Sequence, residues 1–219
     1  MPKPYVIGIT GGSASGKTTV ANGLAELLAD FRPAVLRQDR YFRDYSHLSP
    51  EERDRLATAN RPESLVWPAF MEQVRSLLAG RAVREPVPGT RLAARGAPAV
   101  TIEPGEVVIV EGLFALWDEA LRALLDLKIF VEVDDDERVL RRLRRDILER
   151  GGTVDGVIAW YRKDVWPNYP RFTAVGRHSA DLIVPNNQPC HAAVRLIAAG
   201  VRETLGGRVA WRSADCSPP

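Results

Sequence analysis

The sequence predicts an α/β fold, with a five-stranded parallel sheet that carries helices on both faces. Short apolar segments, typical of buried strands, alternate with segments whose apolar residues recur at helical spacing. The strand-like segments are near-continuous apolar runs, as expected for strands that are buried on both faces. The 219 residues contain no internal repeat and no low-complexity linker, which indicates one domain with insertions.

The elements follow in order along the chain. Strands are predicted at residues 5–10, 34–37, 107–110, 127–133 and 181–185. Helices are predicted at residues 18–28, 51–57, 70–78, 119–125, 135–149, 155–166 and 192–204. Prolines and glycines between residues 80 and 105 favour irregular structure or a small hairpin. We expect one domain at residues 1–205, with an insertion at about 40–105, and a flexible tail at residues 206–219.

Composition and charge exclude several classes of protein. Thirty basic and 28 acidic residues give a net charge of +2, which does not indicate a nucleic-acid partner. No run of 18 apolar residues is present, so we expect no membrane-spanning helix. Cys190 and Cys216 are too few for a disulfide framework or a four-thiolate metal site. Because the chain also begins without a secretory signal pattern, we expect a cytoplasmic protein.

Residues 11–18, Gly-Gly-Ser-Ala-Ser-Gly-Lys-Thr, match the phosphate-binding pattern GxxxxGK[ST] between a predicted strand and a predicted helix. Glycines let backbone N–H groups approach phosphate oxygens, and the helix adds a positive partial charge at its N-terminus. Lys17 would contact the outer phosphates and the Thr18 hydroxyl would bind Mg²⁺. The segment therefore predicts a site for a nucleoside triphosphate, taken to be ATP. The predicted ATP-binding residues are Gly11, Gly12, Ser13, Ala14, Ser15, Gly16, Lys17, Thr18 and Thr19.

Two acidic residues follow predicted strands, at the sheet edge where ligands bind in parallel sheets. Glu111 follows residues 107–110 and is predicted to act on Mg²⁺, directly or through a water molecule. Asp39 follows residues 34–37 and could accept a proton from an attacking hydroxyl. For each of them the alternative is a solvated acid in a loop.

The predicted helix at residues 135–149 is rich in arginine. At 3.6 residues per turn, one face carries Arg138, Arg141, Arg142 and Arg145. Taken alone, such a face is more often a solvated helix surface. Beside a triphosphate it suits a mobile lid, at residues of about 135–170, whose guanidinium groups neutralise the transferring phosphoryl group.

Further segments follow the phosphate loop in a fixed order: Asp-Arg-Tyr-Phe at 39–42, Val-Val-Ile-Val-Glu-Gly at 107–112, Lys-Ile-Phe-Val-Glu-Val-Asp at 128–134, Arg-Arg-Leu-Arg-Arg-Asp-Ile-Leu-Glu-Arg-Gly at 141–151 and Ala-Asp-Leu-Ile-Val-Pro at 180–185. Together they resemble the uridine kinase/phosphoribulokinase family, collinearly over residues 4–186. The resemblance implies a P-loop NTPase fold of the nucleoside kinase type with a helical lid. It also implies ATP-dependent phosphorylation of a small molecule, nominally uridine or cytidine to the 5′-monophosphate, by an enzyme that forms a homo-oligomer.

The resemblance also implies roles for individual residues. Asp39 would orient and deprotonate the acceptor hydroxyl, while Lys17, Arg145 and Arg150 would hold phosphates. Thr18 and Glu111 would bind Mg²⁺, Glu111 directly or through a water molecule. The implied acceptor-binding residues are Asp39, Tyr41, Asn60, Arg142 and Trp160.

The acceptor side departs from the family pattern. Asn60 replaces an acid that holds ribose hydroxyls, and Trp160 replaces a glutamine that contacts ribose. Ala93 stands where the family has a histidine that contacts the base, and Gly152 where it has a second arginine. Loss of such hydrogen-bonding groups can change discrimination by orders of magnitude. Another nucleoside, a sugar or a vitamin-like alcohol therefore stays open as the acceptor.

Other function classes fit less well. A regulatory GTPase would carry Asn-Lys-x-Asp to bind guanine, and none of the four lysines occurs in that pattern. A polynucleotide kinase would need an extended basic groove. A net charge of +2, with arginines concentrated on one predicted helix, does not indicate such a groove. A non-catalytic nucleotide-binding protein stays open because the acceptor pocket is altered, although the retained Lys17, Asp39 and Glu111 argue against it.

Overall fold

The computed structural model describes residues 3–207. The strands are β1 (Tyr5–Gly11), β2 (Ala34–Arg37), β3 (Val83–Glu85), β4 (Val100–Ile102), β5 (Val107–Glu111), β6 (Leu127–Glu132) and β7 (Leu182–Pro185). The helices are α1 (Lys17–Leu27), α2 (Pro50–Leu56), α3 (Trp67–Leu78), α4 (Arg91–Ala94), α5 (Glu119–Arg122), α6 (Asp135–Leu148), α7 (Val154–Trp160), α8 (Trp166–Asn168) and α9 (His191–Leu205). None of the helices within these residues is long and apolar enough to cross a bilayer.

Five strands form one parallel sheet in the order β2-β5-β1-β6-β7, which confirms the predicted fold class. β1 occupies the centre, where Ile7 is in register with Ile109 of β5 and Leu127 of β6. Every residue of β5 is buried, as its β-branched sequence predicts for an interior strand. Because all five strands are parallel, their carboxyl ends lie at one edge, and that edge carries the candidate site.

The two faces of the sheet have separate hydrophobic cores. Side chains alternate along β1, so that Ile7 and Ile9 pack with α1 and α9 on one face. Val6 lies on the other face, in a cluster with Phe70 and Val74 of α3. Helices therefore cover both faces, and the insertion at residues 40–105 supplies the cover of the second one together with residues 113–125.

The insertion contains the small hairpin that was one of two predicted outcomes for residues 80–105. β3 and β4 pair antiparallel, with Val83 opposite Ile102. Two isolated bridges, Phe42 with Leu65 and Arg43 with Thr90, tie distant parts of the insertion together. These bridges hold the insertion beside the carboxyl end of β2.

Two predicted helices are longer than the observed ones by more than one residue. α5 ends at Arg122 instead of residue 125, because the N–H groups of Leu124 and Leu125 bond to carbonyls three residues back and so tighten the chain. Leu125 then fills the space beside Gly8, where an added Cβ would lie 2.3 Å from Leu125 Cδ1. α7 ends at Trp160, and a π-helical turn follows it.

Of the predicted C-terminal tail, residues 208–219 lie outside the described residues, and Cys216 lies among them. The division of residues 1–205 into a core, an insertion and a lid stays a prediction.

Candidate active site

A cleft of about 390 Å³ opens at the carboxyl edge of the sheet. Three parts of the chain line it: the loop between β1 and α1, the segment after β2 with its insertion, and helix α6. Predicted site residues from all three parts meet there, namely Ser13, Ala14, Gly16, Lys17, Thr18, Thr19, Asp39, Asn60, Arg142, Arg145 and Arg150. Segments that are far apart in sequence thus form a single concave site.

The loop before α1 has the geometry of an anion site. Gly16 has a φ of 87°, a left-handed conformation that a side chain would strain, and α1 begins at the next residue. A Cβ on Gly16 would lie 2.3 Å from Nδ2 of Asn186, which donates a 2.8 Å hydrogen bond to the Ser15 carbonyl. Ser15 Oγ is buried with no hydrogen-bond partner within residues 3–207. Ser15 itself does not line the cleft, and the N–H groups of the first helical turn are the donors that fit the oxygens of a phosphate chain.

Lys17 is a buried cation without a carboxylate partner. Its side chain leaves the residue only 8% exposed, and no carboxylate of the described chain lies within 4.0 Å of its ammonium group. A buried charge that lacks a partner is costly, and a phosphate would supply that partner.

Thr18 and Glu111 bring two oxygen donors together across the loop. The Thr18 hydroxyl donates to Glu111 Oε1 over 3.0 Å, and Arg37 Nε lies 3.8 Å from the same oxygen. Burial raises the pKa of Glu111, which is 2% exposed, while the nearby Lys17 opposes that rise. A hydroxyl and one carboxylate fit Mg²⁺, which typically completes its shell with phosphate oxygens and water. Within residues 3–207 no three His, Cys, Asp or Glu side chains form a metal site of their own.

One carboxylate on α6 orients three of the lid arginines. Asp146 lies 3.2 Å from Nε of Arg142, 2.9 Å from Nη2 of Arg145 and 3.1 Å from Nη1 of Arg150. Arg145 Nη2 also donates to Ser13 Oγ over 3.2 Å, which links α6 to the phosphate loop. Burial lowers the pKa of Arg142. The i,i+4 spacing of Asp146 from Arg142 and Arg150 is the sequence signal that could have identified it.

Asp39 lines the cleft on a short 3₁₀ turn at the end of β2. The preceding Gln38 is buried and its Oε1 accepts a 2.9 Å hydrogen bond from the Phe114 N–H. A Cβ on Gly112 would lie 2.2 Å from that same oxygen, so the glycine makes room for the anchor. The turn is thereby fixed, while Asp39 itself stays exposed to the cleft.

Two residues predicted to bind the acceptor do not line this cleft. Tyr41 is 1% exposed, its ring centroid lies 5.0 Å from that of Phe70, and its hydroxyl donates to Gln73. Burial raises the pKa of this phenol. Tyr41 therefore supports the turn of Asp39 from beneath, since its ring belongs to the core between the sheet and α3. Trp160, at the end of α7, is also absent from the cleft lining.

Asn60 lines the cleft, but its amide group is hydrogen-bonded to another side chain. Asn60 Nδ2 donates to Asp164 Oδ2 over 2.6 Å. The same carboxylate accepts from Thr58 Oγ1 at 2.5 Å and from the Ala59 N–H at 3.0 Å. Asp164 is 3% exposed and belongs to the π-helical turn after α7. It ties the loop at residues 58–60 to the predicted lid, and no sequence pattern pointed to it.

Arg91 is a further cleft residue that the sequence interpretation missed. Its guanidinium carbon lies 4.5 Å from the ring centroid of Phe42, and both side chains line the cleft. Arg91 Nη2 lies 3.5 Å from the Asp39 carbonyl oxygen.

Comparison with known proteins gives a consistent family. Residues 6–192 match the model of the Phosphoribulokinase / Uridine kinase family. The chain is 40% identical over 205 residues to a protein named uridine kinase from Lactococcus lactis subsp. cremoris (strain MG1363), which covers 94% of this chain and 99% of that one. A protein of the same name from Lactiplantibacillus plantarum is 39% identical over 203 residues, with 93% and 97% of the two chains covered.

Solved structures agree on the fold. The phosphoribulokinase from Rhodobacter spheroides superimposes with a TM-score of 0.54 at 19% identity. The match covers 78% of this chain and 68% of that structure. At this identity the similarity shows the fold alone.

Proposed function

The chain belongs to the Phosphoribulokinase / Uridine kinase family and is a phosphotransferase, and on that premise we propose that it transfers the terminal phosphate of ATP to the 5′-hydroxyl of uridine or cytidine. The observation that carries this proposal is the meeting of the unpaired Lys17, Thr18 and Asp39 in one cleft, with Glu111 hydrogen-bonded to Thr18 behind it. The relatives named uridine kinase, which cover nearly the whole chain, support a nucleoside as the acceptor.

The proposed chemistry assigns one task to each group. Lys17 and the N–H groups at the start of α1 hold phosphate oxygens, and Arg145 and Arg150 stabilise the negative charge of the transferring group. Thr18 and Glu111 would hold Mg²⁺, which would supply positive charge to the outer phosphates. Thr18, Glu111, Arg145 and Arg150 are held by the contacts described above, so these groups need little reorganisation during transfer.

Asp39 is proposed to act on the acceptor. It accepts the proton of the 5′-hydroxyl as that oxygen forms its bond to the terminal phosphorus, and the bond from phosphorus to the ADP oxygen breaks. The products are the nucleoside monophosphate and ADP. Such a reaction would recover pyrimidine nucleosides, a salvage role.

One observation favours a second candidate, the same transfer to a different hydroxyl compound. The Asn60 amide is bound to Asp164. The family pattern places an acid at this position to hold ribose hydroxyls, and here no carboxylate is offered to the acceptor from it. The phosphate side of the cleft is the same for both candidates.

An acceptor panel tests the proposal. Purified enzyme with ATP and Mg²⁺ is incubated with uridine, cytidine, the purine nucleosides, free sugars and small alcohols, and products are identified by chromatography and mass. Formation of UMP or CMP in preference to the other products is expected. Turnover of a sugar or alcohol with no nucleoside product would favour the second candidate, and ATP binding without any phosphorylated product would contradict both.

Several sequence-based expectations remain proposals alongside this one. They are a cytoplasmic location, the lack of nucleic-acid and membrane partners, and assembly into a homo-oligomer. Size-exclusion chromatography with light scattering measures the last of these directly.

A further inference from the structure

We propose that Arg91 is a specificity-determining residue that binds an oxygen of the acceptor. The inference rests on the proposed phosphotransfer, because it concerns the acceptor half of the same cleft. The oxygen is either a ring carbonyl of a pyrimidine or the oxygen of an acidic substituent, since a guanidinium only donates hydrogen bonds and binds both.

The backbone of Arg91 is held in place on both sides. Its N–H donates to the Phe42 carbonyl at 2.9 Å, and the preceding Thr90 forms a bridge with Arg43. Thr90 Oγ1 also accepts from the Ala93 N–H, which caps the short helix α4. Arg91 therefore projects from a fixed point of the insertion.

The guanidinium is also partly held, but it has no carboxylate partner. It stacks over Phe42 at 4.5 Å, and its one hydrogen bond among the described residues, at 3.5 Å to the Asp39 carbonyl, is long. Burial lowers the pKa of Arg91, and the nearby charge of Asp39 opposes that shift only in part, without forming an ion pair within 4.0 Å. Stacking on an aromatic face leaves the edge of the guanidinium free to donate.

The other arginines of the cleft are paired. Arg141 Nε lies 2.6 Å from Glu137, and three more share Asp146 as described above. Within residues 3–207, Lys17 and Arg91 are the cleft cations without a carboxylate inside 4.0 Å. Lys17 is the proposed phosphate ligand, and Arg91 has the same need for a partner at a different place.

The position of Arg91 selects the acceptor as that partner. Arg145 contacts the phosphate loop at Ser13. Arg91 comes from the insertion and contacts the main chain of Asp39, the residue proposed to receive the acceptor proton. A ligand that places its hydroxyl at Asp39 therefore passes close to Arg91.

Steady-state kinetics of Arg91→Ala and Arg91→Lys test the inference. We expect the KM for uridine to rise roughly 10- to 100-fold in Arg91→Ala, as for loss of a charge-assisted hydrogen bond. The KM for ATP should change less than about twofold, because the phosphate side is untouched. The KM of Arg91→Lys for uridine should lie between those of the unmodified enzyme and Arg91→Ala, since lysine keeps the charge but loses the planar guanidinium. Arg95→Ala removes an exposed arginine one turn further along and outside the cleft lining, and should behave as the unmodified enzyme.

The comparison of the KM for uridine with the KM for ATP and with kcat decides the outcome. An unchanged KM for uridine in Arg91→Ala would overturn the inference, even if UMP is formed as proposed. A fall in kcat alone, or an equal rise in both KM values, would also overturn it, because Arg91 would then act on the transferring phosphate. Equal melting temperatures of the variants and the unmodified enzyme show that the fold is intact.

The inference and the proposed function can fail separately. If the unmodified enzyme forms no nucleotide but phosphorylates a hydroxy acid or a sugar phosphate, the nucleoside proposal fails, and the same KM shift on that acceptor would support Arg91 as its ligand. If no acceptor is turned over, calorimetric titration of uridine in the presence of a non-hydrolysable ATP analogue replaces the kinetics. Binding that weakens tenfold in Arg91→Ala supports the inference, and equal binding or none overturns it.

Discussion

Asp164→Ala is expected to loosen the joint between the loop at residues 58–60 and the predicted lid. The buried carboxylate accepts hydrogen bonds from Thr58 Oγ1, the Ala59 N–H and Asn60 Nδ2 at 2.5, 3.0 and 2.6 Å. It also accepts one at 3.2 Å from Asn168, whose amide keeps a 2.7 Å bond to the Asp164 carbonyl. Truncation therefore leaves three donors without their partner.

The expected loss of stability follows from these three donors. A buried group left without its hydrogen bond costs about 1–3 kcal/mol, and water entering the vacated space recovers part of that. We expect a decrease of about 3–6 kcal/mol in the free energy of unfolding. At about 2–4 °C per kcal/mol for a chain of this size, the melting temperature should fall by at least about 6 °C.

Thermal and urea unfolding measure the effect, and enzyme kinetics locate it. Because Ala59 and Asn60 line the cleft, the KM for the acceptor should rise while the KM for ATP changes little. The matched control is Asp155→Asn, which alters an exposed acid in the first turn of α7 and should leave both unfolding and kinetics unchanged.

An exchange of partners refines the test. Asp164→Asn alone replaces one accepting oxygen by an amide nitrogen, which faces donors whichever way the amide is turned, and Asn60→Asp alone sets two carboxylates together. The double variant restores one donor facing one acceptor, so it should be more stable than the sum of the two single changes by about 1 kcal/mol or more. Strict additivity, or a melting temperature of Asp164→Ala equal to that of the unmodified protein, would refute the reasoning.

Two further variants probe the phosphate side. Glu111→Gln removes the buried charge beside Thr18 and should raise the Mg²⁺ concentration for half-maximal activity roughly 10- to 100-fold. Glu106→Gln changes an exposed acid just before the same strand and should leave that concentration unchanged. An unaltered Mg²⁺ titration in Glu111→Gln would contradict metal binding at this residue. Gly16→Ala places a side chain at a φ of 87° and against Asn186, so calorimetry should show ATP bound at least about tenfold more weakly. Gly200→Ala, in open space on α9, should bind ATP normally, and equal ATP affinity in Gly16→Ala would contradict the loop geometry.

The sheet and the phosphate loop were predictable because their signals are local. β5 begins with four β-branched residues, a run typical of a strand buried on both faces, and residues 11–18 carry the whole loop in one short segment. The end of α5 was not predictable in this way, since it depends on Leu125 filling the space left by Gly8.

The acceptor side could not be predicted from local patterns. Asp164 meets Asn60 across 104 positions of the chain, and neither residue belongs to a periodic pattern that links them. Tyr41 belongs to the Asp-Arg-Tyr-Phe segment at 39–42, but its ring packs beside Phe70 in the core and does not reach the cleft. Arg91 lies in a proline- and glycine-rich stretch that carries no motif, and only the tertiary fold brings it next to Asp39.

Asp39→Asn tests most directly whether this cleft catalyses phosphoryl transfer to a nucleoside. The change removes the proton acceptor and keeps the size of the side chain, so ATP affinity measured by calorimetry should stay within about twofold. The rate of UMP formation should fall by a factor of about 10²–10⁴, the usual contribution of a general base. Asp136→Asn, an exposed acid in the first turn of α6, should retain full activity. UMP formation by Asp39→Asn at the rate of the unmodified enzyme would contradict the proposed chemistry.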